Sequence, residues 1–136
     1  NNHGAAALAA LIIVTMANDT TALLVGRRWG HTKIAPNLSP GKSLQGLLGG
    51  ALAGILAGVI VVGNIHPWSV GSGLKLGIVC AIVAPLGDLA ESLLKRDLGI
   101  KDMGSILPGH GGVLDRIDAL LFVIPAACLY LRVLAI

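Results

Sequence analysis

Apolar residues in this chain come in long blocks, separated by short polar segments. A membrane-spanning helix needs roughly 20 mostly apolar residues, and four blocks approach that length. The first runs from about Gly4 to Val25 and is interrupted by Asn18-Asp19-Thr20-Thr21. The second is Leu44 to Val62, without a charge. The third begins near Leu74, stays apolar to Leu86 and then turns amphipathic through GDLAESLLKR. The fourth covers about Ile117 to Ile136. The pattern predicts an all-α polytopic membrane protein of about four transmembrane helices, forming one transmembrane domain over residues 1–136. Within the second block, Gly46, Gly50, Gly54 and Gly58 recur every fourth position. That row of small residues predicts a face for close helix packing.

Composition agrees. The chain is 54% hydrophobic and 12% charged, against about 25% charged residues in a soluble domain. A net charge of +3 gives no reason to expect nucleic acid. Cys80 and Cys128 lie in apolar runs without metal-ligand spacing and read as small hydrophobes. The start, NNHGAAALAAL, has neither an initiator Met nor a basic leader, which suggests part of a longer protein.

The connecting segments differ in charge. Gly26 to Ser43 holds Arg27, Arg28, Lys33 and Lys42. Gly63 to Gly73 holds no Lys or Arg, and its Pro67-Trp68 suggests an interfacial turn. Lys95 to Leu114 holds Lys95, Arg96 and Lys101. With four spans, the two basic loops fall on one side, which the positive-inside rule makes the cytoplasm.

Acidic residues in a membrane need a reason, since each costs roughly 2.5–3.5 kcal/mol at a helix centre. Asp19, Asp88, Glu91, Asp115 and Asp118 are all expected at the cytoplasmic ends of helices. Asp88, Glu91, Ser92 and Lys95 follow the spacing of one helical face. Carboxylates with a hydroxyl suit a hard cation such as Mg²⁺, and lysines and arginines beside them suit phosphate oxygens. Together they describe a site where a metal bridges carboxylates and a polyphosphate. Solvated helix ends and ion pairs with Lys95, Arg96 and Arg116 are the plainer alternative. In the turn PGHGG, Gly111 and Gly112 let backbone N–H groups approach an anion. His110 could be a metal ligand, a phosphate donor or a structural residue. Asp115 could be a plain helix N-cap. The segment SPGKS lacks the spacing of an NTPase P-loop.

The ordered run Lys95-Arg96, Lys101-Asp102, Pro108-Gly109-His110-Gly111-Gly112 and Asp115-Arg116-Ile117-Asp118, with Ser92 at its head, resembles the signature of the CDP-diacylglycerol synthases, or phosphatidate cytidylyltransferases. A second block resembles that family's upstream motif: Asn18-Asp19, Gly26-Arg27, Gly30, Lys33, Ala35-Pro36, Ser39-Pro40-Gly41-Lys42-Ser43 and Gly46. Leu44 stands where the family often has a bulky aromatic, and members usually carry several more helices ahead of this region. The chain looks like the C-terminal catalytic half. The resemblance implies transfer of a cytidylyl group from CTP to phosphatidate at a bacterial inner membrane, with Mg²⁺ and room left for a second cation. It implies Asp88 and Asp115 as first metal ligands, with Asp118, Glu91 and Asp19 behind them. Lys95, Arg96, Lys101 and Arg116 would meet the triphosphate or the lipid phosphate, and Ser39 and Lys42 the nucleotide. Asn18 would join the substrate-binding set. Asp102 could hold cytidine, orient Lys101 or pair with Arg96. A homodimer is expected from the resemblance and from the glycine face. The competing expectations are a CTP-dependent lipid kinase, an ion-coupled transporter or a scaffold.

Overall fold

The structure, a computed structural model, describes residues 2–65, 68–99, 123–125 and 128. In chain order these form α1 (Asn2–Trp29), β1 (Lys33–Ala35), β2 (Ser39–Ser43), α2 (Leu44–Gly63) and α3 (Val70–Asp97). All three helices are long and apolar enough to cross a membrane. The fourth expected span lies largely outside the described residues. Val123 within it is fully buried in the same core as Val14, Cys80 and Ala84, and Ile124 packs against that core.

Helix α1 is continuous where an interruption was expected at Asn18-Asp19-Thr20-Thr21. Such residues cost a helix only about 0.5 kcal/mol each, and Gly and Pro, the true breakers, are absent between Ala5 and Val25. Two polar groups of α1 turn inward instead. The Thr15 hydroxyl donates to Leu11 O at 2.9 Å, and Asn18 is buried against Gly50 and Gly54. The helix ends at Trp29, where Gly30 N–H closes a last bond to Gly26 O at 3.0 Å. Asp19 therefore stands ten residues, roughly 15 Å, inside the helix. The expectation that it marks a helix end is corrected.

The all-α expectation is corrected at one place. The first basic loop folds into an antiparallel hairpin, with Lys33 opposite Ser43 and Ala35 opposite Ser39. Its turn is Ala35-Pro36-Asn37-Leu38, closed by Leu38 N–H to Ala35 O at 3.1 Å. Pro at the second position and Asn at the third suit a tight turn, because Pro presets φ and Asn tolerates the bend. Pro40 brings no N–H to the ladder, and the register is irregular between the two paired positions.

Ser43 then starts α2. Its φ of −121° and ψ of 154° are extended, and its Oγ accepts from Gly46 N–H at 3.2 Å. Similarly, Ser69 caps α3 by accepting from Ser72 N–H, so that helix begins at Val70, ahead of the apolar run.

The glycine row of α2 is buried at Gly46, Gly50, Gly54 and Gly58. It serves two neighbours. A Cβ at Gly46 or Gly50 would meet α1 at Ala22, Gly26 and Asn18; one at Gly58 would meet α3 at Gly73 and Gly77. Both contacts are antiparallel, so α1 and α3 run the same way on either side of the row. The opposite face of α2 carries Leu44, Leu48, Leu52, Leu56 and Ile60, all exposed. Small residues inside and large ones outside is the arrangement for a helix solvated by lipid, where close backbone packing holds the bundle. Because the glycine face is consumed within the chain, it no longer supports a homodimer.

Candidate active site

The parallel course of α1 and α3 puts the hairpin and the last turns of α3 at one end of the bundle. Two side-chain contacts fasten them. Lys42 Nζ lies 3.0 Å from Asp88 Oδ2, and Arg96 Nη2 donates to Leu38 O at the hairpin turn, at 3.1 Å. About a third of each side chain in the Lys42–Asp88 pair remains exposed. A pair so placed contributes at most about 1 kcal/mol. It locates the hairpin more than it stabilises the fold.

The expected face of α3 is present. Asp88, Glu91, Ser92 and Lys95 are all half-buried, while Leu93, Leu94 and Arg96 are exposed. Glu91 and Lys95 form an ion pair one turn apart, more covered than Lys42–Asp88. The Ser92 hydroxyl donates to Asp88 O at 2.9 Å. Two of the expected phosphate-binding cations, Lys42 and Lys95, are thus held by two of the expected metal-binding carboxylates. Arg96 is held by a backbone carbonyl.

Gln45 is a site element for which the sequence supplied no role. Its Oε1 accepts from His31 N–H and Thr32 N–H, both at 3.2 Å. It ties the exit of α1 to the first turn of α2 and so fixes the root of the hairpin. Buried Ser43 is the second. Its Oγ stands where a side chain at Gly26 or Gly30 would have to go. A Ser directly ahead of an apolar block is the capping signal that could have found it.

Asn18 is buried beside Gly50 and Gly54, one to two turns of α2 beyond Gly46, or roughly 10–16 Å from the hairpin end at Ser43. The structure therefore does not join Asn18 to the Lys42–Asp88 pair. Ser39 lies in β2 without a side-chain contact to α3 among those described. Asp115, Asp118, Lys101, Asp102, His110, Gly111, Gly112 and Arg116 lie outside the described residues. Among the described residues no three His, Cys, Asp or Glu side chains come together to hold a metal ion. Cys80 is buried and unpaired by disulfide, as its apolar setting implied.

Against known proteins, residues 1–134 match the model of the cytidylyltransferase family. The chain is 38% identical to a phosphatidate cytidylyltransferase of Thermotoga maritima, over 98% of this chain and 52% of that protein. It is 40% identical to a phosphatidate cytidylyltransferase of Mycobacterium bovis, over 91% of this chain and 40% of that protein. An Escherichia coli protein named uncharacterized protein YnbB is 40% identical over 95% of this chain and 43% of its own length. The chain thus spans about half the length, or less, of the curated relatives it matches. With the match running through α1, the hairpin, α2 and α3, this chain belongs to the cytidylyltransferase family.

Proposed function

We propose that this chain is the transmembrane catalytic domain of a phosphatidate cytidylyltransferase, and that its hairpin end faces the cytoplasm. The observation that carries this reading is the Lys42–Asp88 pair. It brings together two blocks 46 residues apart, a basic loop and an acidic helix face, at one end of a lipid-solvated bundle. Several relatives named phosphatidate cytidylyltransferase share both blocks' span of sequence.

The reaction needs charge management more than a strong base. Phosphatidate is a phosphate monoester with a second pKa of about 6, so its oxygen is already a competent nucleophile near neutral pH. That oxygen attacks the α-phosphorus of CTP, the α–β bridging P–O bond breaks, and pyrophosphate departs with the electron pair. Lys42, Lys95 and Arg96, with Lys101 and Arg116 from the following segment, would offset the phosphate charge and hold the two substrates in line. The site lies at a bundle end, where a soluble nucleotide and a lipid headgroup can meet.

The donor set fits a hard divalent cation, though incompletely within α3. The Asp88 carboxylate already accommodates a positive group, the Lys42 ammonium, and carboxylate oxygen is the ligand Mg²⁺ prefers. Asp88 and Asp115 would hold Mg²⁺, with Asp118 and Glu91 near it. When bound, the ion would neutralise triphosphate oxygens and polarise the reacting phosphorus. Lys42, beside Asp88, would be placed to meet a phosphate oxygen.

Incubating membranes that carry the full-length protein with labelled CTP, Mg²⁺ and phosphatidate should yield a labelled liponucleotide and pyrophosphate. A phospholipid product with CDP would instead indicate a lipid kinase. Changing Lys42 to Gln should lower the transfer rate by about tenfold or more, since a charge-assisted phosphate contact is lost. Stability should change by no more than about 1 kcal/mol. Full activity in that variant would remove Lys42 from the site.

A further inference from the structure

The last turn of α1 carries a second concentration of positive charge, at the same end of the bundle as the Lys42–Asp88 contact. Arg27 and Arg28 are exposed there, and neither makes an ion pair among the described residues. The Arg28 guanidinium lies 5.4 Å from the centre of the Trp29 ring, within the range of a cation–π contact. With Leu24 and Val25, these residues line an open hollow of about 540 Å³. Leu24 and Arg28 are four residues apart and so share a face. Gly26, at nearly the opposite angle, points into the bundle against Ser43 and Gly46. Among the described residues the hollow therefore opens outward.

We propose that this turn of α1 binds the phosphate headgroup of an anionic phospholipid of the surrounding leaflet. Two guanidinium forks match phosphate oxygens. Trp29, 55% exposed, sits where an amphipathic ring settles at the headgroup level. Leu24, 60% exposed directly below, presents an apolar wall to the first acyl carbons. That apolar wall is why the occupant is a lipid and not free phosphate. The end of α1 is also the negative pole of its dipole. The helix itself repels an anion there, so the attraction must come from the two arginines, and binding should fail sharply without them.

The test is quenching of Trp29 in the full-length protein reconstituted in nanodiscs, isolated by subtracting the signal of a Trp29→Phe variant. At equal mole fraction, acyl-brominated phosphatidylglycerol should associate with Trp29 at least about fivefold more than brominated phosphatidylcholine, the order expected for each arginine at a membrane surface. An Arg27→Gln/Arg28→Gln variant should lose this preference, and Arg28→Lys, which keeps the charge but not the planar fork, should retain only part of it. Equal quenching by both lipids would overturn the proposal, as would a preference that survives the double Gln substitution. Abolition by millimolar inorganic phosphate would make free phosphate the ligand and also overturn it. Preference for brominated phosphatidate with none for phosphatidylglycerol would reassign the hollow to the lipid substrate and overturn it equally. Because the readout is lipid binding, it stands apart from any failure of the transfer assay.

Discussion

Asp88→Asn is expected to lower cytidylyl transfer by about two orders of magnitude or more while the protein stays folded, the scale seen when a group that stabilises transition-state charge is removed. The substitution keeps the shape of the side chain and an oxygen that can still accept from Lys42. It removes only the negative charge. The Lys42–Asp88 pair is part-exposed, so the cost to stability should stay within about 1 kcal/mol. Loss of rate with an unchanged thermal midpoint would separate a role in the reaction from a role in the fold. Initial rates of CTP-dependent CDP-diacylglycerol formation across a Mg²⁺ series would show more. If Asp88 holds the metal, the variant needs far more Mg²⁺ for any activity it retains. Normal turnover at ordinary Mg²⁺ would end the assignment.

Gly58→Leu is expected to abolish the folded bundle or to destabilise it by about 3 kcal/mol, the upper range for overpacking. A Cβ at Gly58 would stand 2.5 Å from Gly73 O and 3.1 Å from Gly77 N. Those are backbone atoms, which cannot rotate aside, so α2 and α3 would have to separate along their whole contact. Gly41→Ala is the matched control. Gly41 lies exposed in β2, with nothing within 4 Å of an added Cβ. Monodisperse yield and thermal midpoint in detergent should fall for the first and hold for the second. Equal behaviour of the two would show that the close approach of α2 and α3 is not what holds them.

The glycine row could be read from spacing alone, because period four on a helix defines a face whatever surrounds it. Which helices lie on that face could not. The division, with Gly46 and Gly50 against α1 and Gly58 against α3, depends on crossing geometry that no local pattern encodes. The supposed break at Asn18-Asp19 failed for a related reason. Hydropathy scores an asparagine as a cost, but room made by Gly50 and Gly54 across the bundle lets Asn18 be buried without ending its helix. The hairpin was missed although its turn chemistry, Pro36-Asn37, was on view. Its strands lack the alternation of apolar and polar residues that announces a sheet; side chains from outside, Gln45 at the root and Arg96 at the tip, hold it in place. The shared face of Asp88, Glu91, Ser92 and Lys95 was legible because helical spacing fixes it. That Lys42 reaches Asp88 was not, since it depends on where the hairpin folds.

The split glycine row also bears on how the chain assembles. Helix α2 is the common rail for both neighbours, and each neighbour docks on its own stretch of it. α1 and α2 are joined by a short hairpin and can zip together as soon as α2 has entered the bilayer, before α3 has been synthesised. α3 then closes on the half of the rail left open, and only that step brings Asp88 up to Lys42. Biogenesis would thus proceed as a scaffold first and a polar site last, so that defects in the later half of the rail should trap an inserted, two-helix intermediate with its cationic loop still unanswered.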